Sequence, residues 1–331
     1  MLALFVGVSA LAGCTTRAVS DVDEPTTRPS PTTLSSAPFL PVLGLGSNER
    51  AITWGGQIRM YRVYRPAKLN PLAPLVVMLH GGMGSARTTE AAYGWNALAD
   101  REGFLVVYPQ GVGGNWDVGG GCCGVAGESG VDDVGFVSAV VADVRTLASL
   151  DPHRTYAAGM SSGGMLAYRL ACETTLFAAI GAVAATELGA CVNPSPLSVI
   201  HVHGTADPTV PYAGVSGPGV AEILGPSIPA LHTTWREVDR CGGDVVRTEG
   251  ALTFTTAQCP SDRTVALVTI EGGGHAWPGV IERGPLDASP SPAPTGSTTA
   301  APVVTVGPTV ATSPGYPTTE RLWEFFKPHN R

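Results

Sequence analysis

Short apolar runs separated by stretches of helical periodicity fill the chain from about residue 51 onward. Gln57 to Tyr64 alternates and is rich in β-branched and aromatic residues, which predicts a strand. Pro74 to Leu79 and Phe104 to Pro109 are continuous apolar runs, as expected of strands covered on both faces. A helix is predicted over Tyr93 to Glu102. In another, Val137, Val140, Val141, Val144 and Leu147 share one face. Ala178 to Ala185, Ser198 to His203 and Thr264 to Ile270 predict further strands, with a helix over Pro229 to Val238 and a small hairpin between Cys241 and Cys259. Leu322, Trp323, Phe325 and Phe326 give a last helix its apolar face, and Pro328 ends it. Buried strands alternating with helices imply an α/β fold, with a mostly parallel central sheet and helices on both faces.

Three stretches stand outside that pattern. Leu2 to Leu11 is largely apolar, too short to span a bilayer but suited to a signal-peptide core. It closes on Leu11-Ala12-Gly13-Cys14, which resembles the lipobox of bacterial lipoproteins. That resemblance implies removal of residues 1–13 and a lipid anchor at Cys14 on an outward-facing protein. No Lys or Arg precedes the apolar run, a departure from the pattern. Residues 14–45 are rich in Thr, Ser and Pro, have little to bury, and read as a disordered tether. Between Arg283 and Glu320 the only charged residue is Asp287. Residues of about 284–317 therefore read as a low-complexity insertion within one domain spanning 46–331.

Of the 331 residues 44% are hydrophobic, enough for one large core. The net charge is -7 and no Lys/Arg cluster exists, which argues against a nucleic-acid partner. Cys14 stands apart from six other cysteines, at 122, 123, 172, 191, 241 and 259. An even set in an exported chain predicts disulfides. No Cys-x-x-Cys pair occurs, which argues against a zinc or redox site; no metal and no cofactor are expected.

The chemistry gathers around Gly159-Met160-Ser161-Ser162-Gly163. This Gly-x-Ser-x-Gly lies between a predicted strand and a predicted helix, the setting of a nucleophile elbow. Alone, the pentapeptide also describes an ordinary Gly-rich turn; its flanks and two downstream partners shift the balance. A serine hydroxyl needs a base and a group to orient that base. Asp207 and His275 follow in the order Ser, Asp, His, each in a loop just after a predicted strand. His275 is the expected general base and Asp207 its orienting partner. The oxyanion hole is expected from the backbone N–H of Ser162 and one from Gly82 or Met83. His80, Trp116 and Trp277 are candidates for substrate contact, and for both tryptophans the alternative is to fill core. Asp207 before Pro208 is, in isolation, a turn residue. His201 and His203 mimic a metal pair but read as packed and hydrogen-bonded. Asp132 and Asp133 read as helix caps, and Asp151 and His153 as bystanders.

Several motifs then occur in order: Leu79-His80-Gly81-Gly82, Asn115-Trp116, Cys122-Cys123-Gly124, Val131 to Phe136, Gly159 to Gly164, His203-Gly204-Thr205-Ala206-Asp207, and Gly273-Gly274-His275-Ala276-Trp277-Pro278. Together they resemble the polyhydroxybutyrate depolymerase/feruloyl esterase group, similar to carbohydrate esterase family 1, over about Gly56 to Trp277 plus the last helix. The resemblance implies an α/β-hydrolase fold, a triad at Ser161, Asp207 and His275, and hydroxyalkanoate, feruloyl or acetyl esters as substrates. The insertion before the last helix departs from the usual compact ending. A catalytically silent surface-binding lipoprotein and a serine peptidase of the same fold are the alternatives. Six cysteines allow fifteen pairings. The expectation is Cys172–Cys191 and Cys241–Cys259, each closing a short loop, with Cys122–Cys123 as the remaining vicinal pair; a Cys122–Cys241 bond would overturn it.

Overall fold

A computed structural model describes residues 43–214, 223, 225–279 and 315–331. The expected signal peptide, Cys14, nearly all of the tether and most of the insertion lie outside these residues. Among the described residues, ten strands form one sheet in the order β1-β2-β4-β3-β5-β6-β7-β10-β9-β8. The strands are β1 (Gly46–Trp54), β2 (Gln57–Arg65), β3 (Ala73–Leu79), β4 (Leu105–Pro109), β5 (Leu150–Met160), β6 (Ala179–Val183), β7 (Ser198–Gly204), β8 (Val245–Glu249), β9 (Leu252–Gln258) and β10 (Thr264–Ile270). The six central strands, β4 to β10 in that order, run parallel, and an antiparallel hairpin flanks each side: β1-β2 and β9-β8.

Strand periodicity divides the core in two. Leu75, Val77, Leu79, Leu105, Val107 and Ala157 point to one face, while Val76, Met78, Val106, Tyr108, Tyr156 and Ala158 point to the other. A short helix, α3 (Gly124–Ser129), precedes α4 (Asp133–Leu147), which with α5 (Ser162–Glu173) and α6 (Ile228–Val238) covers the first face, through residues such as Val140, Leu166 and Trp235. The second is covered by α1 (Ala86–Ala92), α2 (Trp95–Glu102) and α7 (Thr318–Phe326), through Leu98, Leu322 and Phe326. Both faces of the central strands are therefore dry, which is why their sequences run apolar without alternation.

Two elements differ from expectation. Among the described residues regular structure begins at β1, ahead of Ala51; β1 is an edge strand with no fully buried residue, so it lacks the apolar alternation that marks a half-buried strand. The helix expected over 93–102 begins at Trp95, as α2, because Gly94, with a φ of 74°, parts it from α1, a helix over Ala86–Ala92 that the periodicity did not show. The three disulfides pair as expected, Cys122–Cys123, Cys172–Cys191 and Cys241–Cys259. Asp132 caps α4 by accepting from the N–H of Gly135 at 2.7 Å. Asp133 does something else: it is buried, paired with Arg59 at 2.6 Å, and accepts from the N–H of Asp117 at 2.7 Å.

Candidate active site

The connection after β3 leaves toward the face of α1 and α2, and that after β5 toward the face of α5. Adjacent parallel strands whose connections diverge open a crevice at their C-terminal ends. Ser161 sits there, between the end of β5 and the start of α5. Its φ of 53° and ψ of -124° lie in a region that L-residues rarely occupy. A backbone bond from the Ser161 N–H to Val183 O at 2.9 Å holds the turn, and the hydroxyl does not cap the helix. The turn is possible because a Cβ at Gly163 would overlap the carbonyl of Leu79, and one at Gly159 would overlap the backbone of Gly163. Helix and strand thus approach as closely as two backbones can.

Asp207 and His275 stand on neighbouring loops, after β7 and β10. The loops touch at Gly204 and Gly273, where any side chain on Gly204 would overlap the Gly273 carbonyl. His275 Nδ1 lies 2.8 Å from Asp207 Oδ2. Asp207 Oδ1 accepts from the N–H groups of Thr209 and Val210, both at 2.8 Å. Burial alone would raise this carboxyl, but hydrogen bonds from His203, His275 and the Val210 N–H outweigh it and hold it well below the usual carboxylate range. Since an ionised carboxylate only accepts, His275 carries its proton on Nδ1. Its Nε2 is left as the basic nitrogen.

The carboxylate has further support that the sequence did not reveal. His203 Nε2 lies 2.8 Å from Val210 O and 3.4 Å from Asp207 Oδ2, so this nitrogen bears hydrogen. His203 Nδ1 must then accept from His201 Nε2 at 2.9 Å, and His201 Nδ1 from the Tyr168 hydroxyl at 2.7 Å. The chain is buried, and the acceptors at its Val210 end fix both tautomers, since a hydroxyl at the other end can donate or accept. Burial keeps His201 neutral, pushing it well below the ordinary histidine value. The expectation that His201 and His203 are packed and hydrogen-bonded matches this arrangement. The signal for the rest was His-x-His-Gly four residues before Asp207, with nothing to show where its rings point.

His80, Trp116 and Trp277 do not line a mouth. All three are fully buried. His80 Nε2 accepts from the Gly111 N–H at 2.9 Å, its Nδ1 donates to Gly81 O at 2.8 Å, and the ring lies 4.5 Å from that of Trp116. Trp116 Nε1 donates to His80 O at 2.8 Å. Trp277 stacks on Tyr93 at 4.6 Å and donates to Thr319 Oγ1 at 3.1 Å. An indole buries a large apolar area once its N–H finds an acceptor, and each indole here has one inside. The pair His80–Trp116 instead braces the loop 80–84 against the loop after β4. Asp151 and His153 lie at the opposite end of β5, away from Ser161.

Within loop 80–84, Gly81 lies against Met160 O and the Ser161 side chain, and Gly82 against Asn115 Oδ1 and Ser162 Oγ. Met83 has a φ of 58° and is 79% exposed. Among the described residues, Cys172, Glu187 and Cys191 bring ligand atoms within 4.8 Å of one another. The two sulfurs are bonded to each other, which withholds the thiolates that a metal takes.

A family model described as "Esterase PHB depolymerase" matches residues 60–230. The chain belongs to this esterase family. The match spans β2 to the start of α6 and so includes Ser161 and Asp207. A protein of Nocardia uniformis subsp. tsuyamanensis named "Putative esterase NocK" is 33% identical over 84% of this chain and 88% of its own length. The bifunctional acetylxylan esterase/xylanase XynS20E of Neocallimastix patriciarum is 32% identical over 67% of this chain, which covers 31% of that longer protein. Feruloyl esterase B of Piromyces equi is 30% identical over 62% of this chain and 40% of its own length. An acetyl xylan esterase from Aspergillus awamori shares the fold, with a TM-score of 0.53 at 16% identity over 69% of this chain and 94% of its own. This member of the esterase family is accordingly a carboxylic ester hydrolase on an α/β-hydrolase fold.

Proposed function

We propose that the chain is an exported serine esterase that cleaves carboxylic esters through an acyl-enzyme on Ser161. The observation that carries this reading is the 2.8 Å contact of His275 Nδ1 with Asp207 Oδ2, on the sheet rim that also bears the strained Ser161 turn. His275 Nε2 takes the Ser161 proton as Oγ bonds to the ester carbon, and the carbonyl electron pair moves onto oxygen. The oxyanion is met by the N–H of Ser162, at the positive end of α5, and by an N–H of Gly82 or Met83. Collapse expels the alkoxide, which takes the proton from Nε2. Water repeats the sequence to release the acid. Hydroxyalkanoate, feruloyl and acetyl esters are the substrate classes named for the relatives.

Three disulfides suit an oxidising compartment, and no described helix is long and apolar enough to cross a membrane. A lipid on Cys14 is the proposed anchor; labelled palmitate incorporated equally by Cys14→Ser would remove it. The activity itself is tested with p-nitrophenyl acetate and butyrate against the corresponding amides. Ser161→Ala should lose on the order of 10⁴-fold or more in kcat. Equal rates for the two proteins would end the reading.

A further inference from the structure

Ser162 is the first residue of α5 and is 3% exposed. Its Oγ has no hydrogen-bond partner in the structure. Buried hydroxyls are nearly always partnered, because one left unmade costs free energy without return. Alanine would fit the same position with the same backbone and no orphan. The position of the oxygen gives it a use. It lies 3.7 Å from the point where a Cβ on Gly82 would stand, and Asn115 Oδ1 lies 3.1 Å from that same point. Gly81, one residue earlier, brings its own Cβ position to 3.6 Å from the Ser161 Cβ. The orphan therefore lies between the elbow and loop 80–84, beside the place where the serine-esterase reading puts the ester oxygen.

We propose that the Ser162 hydroxyl is a catalytic residue in its own right, a third oxyanion donor beside the two backbone N–H groups. The inference rests on that reading. In the free protein the hydroxyl has nothing to bond. On this proposal the carbonyl oxygen, as it gains a full negative charge in the tetrahedral intermediate, must settle against this hydroxyl. A donor that is unpaired before the reaction and paired during it favours the transition state over the ground state, which raises kcat instead of lowering KM. The hydroxyl keeps its proton throughout, so the covalent steps are unchanged.

The test compares wild type, Ser162→Ala and Ser161→Ala in p-nitrophenyl butyrate hydrolysis. Inhibition by a short alkylboronic acid, whose tetrahedral adduct mimics the intermediate, is measured alongside, as is Tm. Ser162→Ala should lose kcat on the order of 10²-fold with KM near the wild-type value. Boronate affinity should fall in parallel. Its Tm should hold or rise, because the orphan is gone, and this separates a catalytic hydroxyl from a structural one. Ser162→Cys, similar in volume and weaker as a donor, should fall between the two and tests the idea should Ser162→Ala fail to fold. Wild-type kinetics and boronate binding in Ser162→Ala, beside a dead Ser161→Ala, would overturn the third donor alone. Full activity in Ser161→Ala would overturn both it and the reading beneath it.

Discussion

Acid should loosen this protein at His80. The ring is fully buried, with Nε2 accepting from the Gly111 N–H and Nδ1 donating to Gly81 O. A second proton would set an Nε2–H against that N–H. Burial pushes the imidazole down to about 4, against a small upward pull from its bond to Gly81. In the unfolded chain it titrates near 6.5. The folded value is the lower one, so the unfolded state takes up the proton first. The stabilisation is complete above about pH 6.5 and drains away as pH falls toward 4. Between pH 7 and 5 the loss comes to about 2 kcal/mol, and it ends near 3 kcal/mol below pH 4. His80→Gln cannot titrate. It should be the less stable protein at pH 7, where it lacks the ring contact with Trp116, and the gap should shrink by about 2 kcal/mol at pH 5. Urea unfolding of both proteins at the two pH values measures this. His201, His232 and His329 are also held low by burial, but they titrate in both proteins and cancel in the difference. A gap independent of pH would refute the reasoning.

Three other outcomes are expected. Asp207→Asn turns an acceptor toward the Nδ1 of His275 into a group that can present N–H, so kcat for p-nitrophenyl butyrate should fall on the order of 10⁴-fold; a loss below about tenfold would contradict the assignment. Gly204→Ala forces the Gly273 loop away from β7, carrying His275 with it, and should lower kcat about 10²-fold or more while far-UV circular dichroism stays unchanged. Arg59→Met leaves the Asp133 carboxylate buried without its cation and should cost about 3–5 kcal/mol in denaturant unfolding, part of which Arg59→Met/Asp133→Leu should restore.

Much of the fold was legible because the central strands are buried on both sides and write unbroken apolar runs. The elbow was legible because only glycine permits its close contacts, and glycines show in a sequence. What escaped depended on direction. Nothing in the local pattern distinguishes a Trp aimed at solvent from one aimed inward, and Trp116 and Trp277 both turn inward to find acceptors on His80 and Thr319. His203 sits on a strand where a buried histidine was expected, yet its reach to Asp207 depends on how the following turn folds back. β1 escaped because an edge strand needs no apolar face.

The outer hairpin of β9 and β8 is sewn at its open end by Cys241–Cys259. A protease reaching the exposed tip near Gly250 would cut a loop whose two halves stay covalently joined. Such a clipped molecule would migrate as a single band until a reductant separated the fragments. Damage to this margin would leave the molecule in one piece.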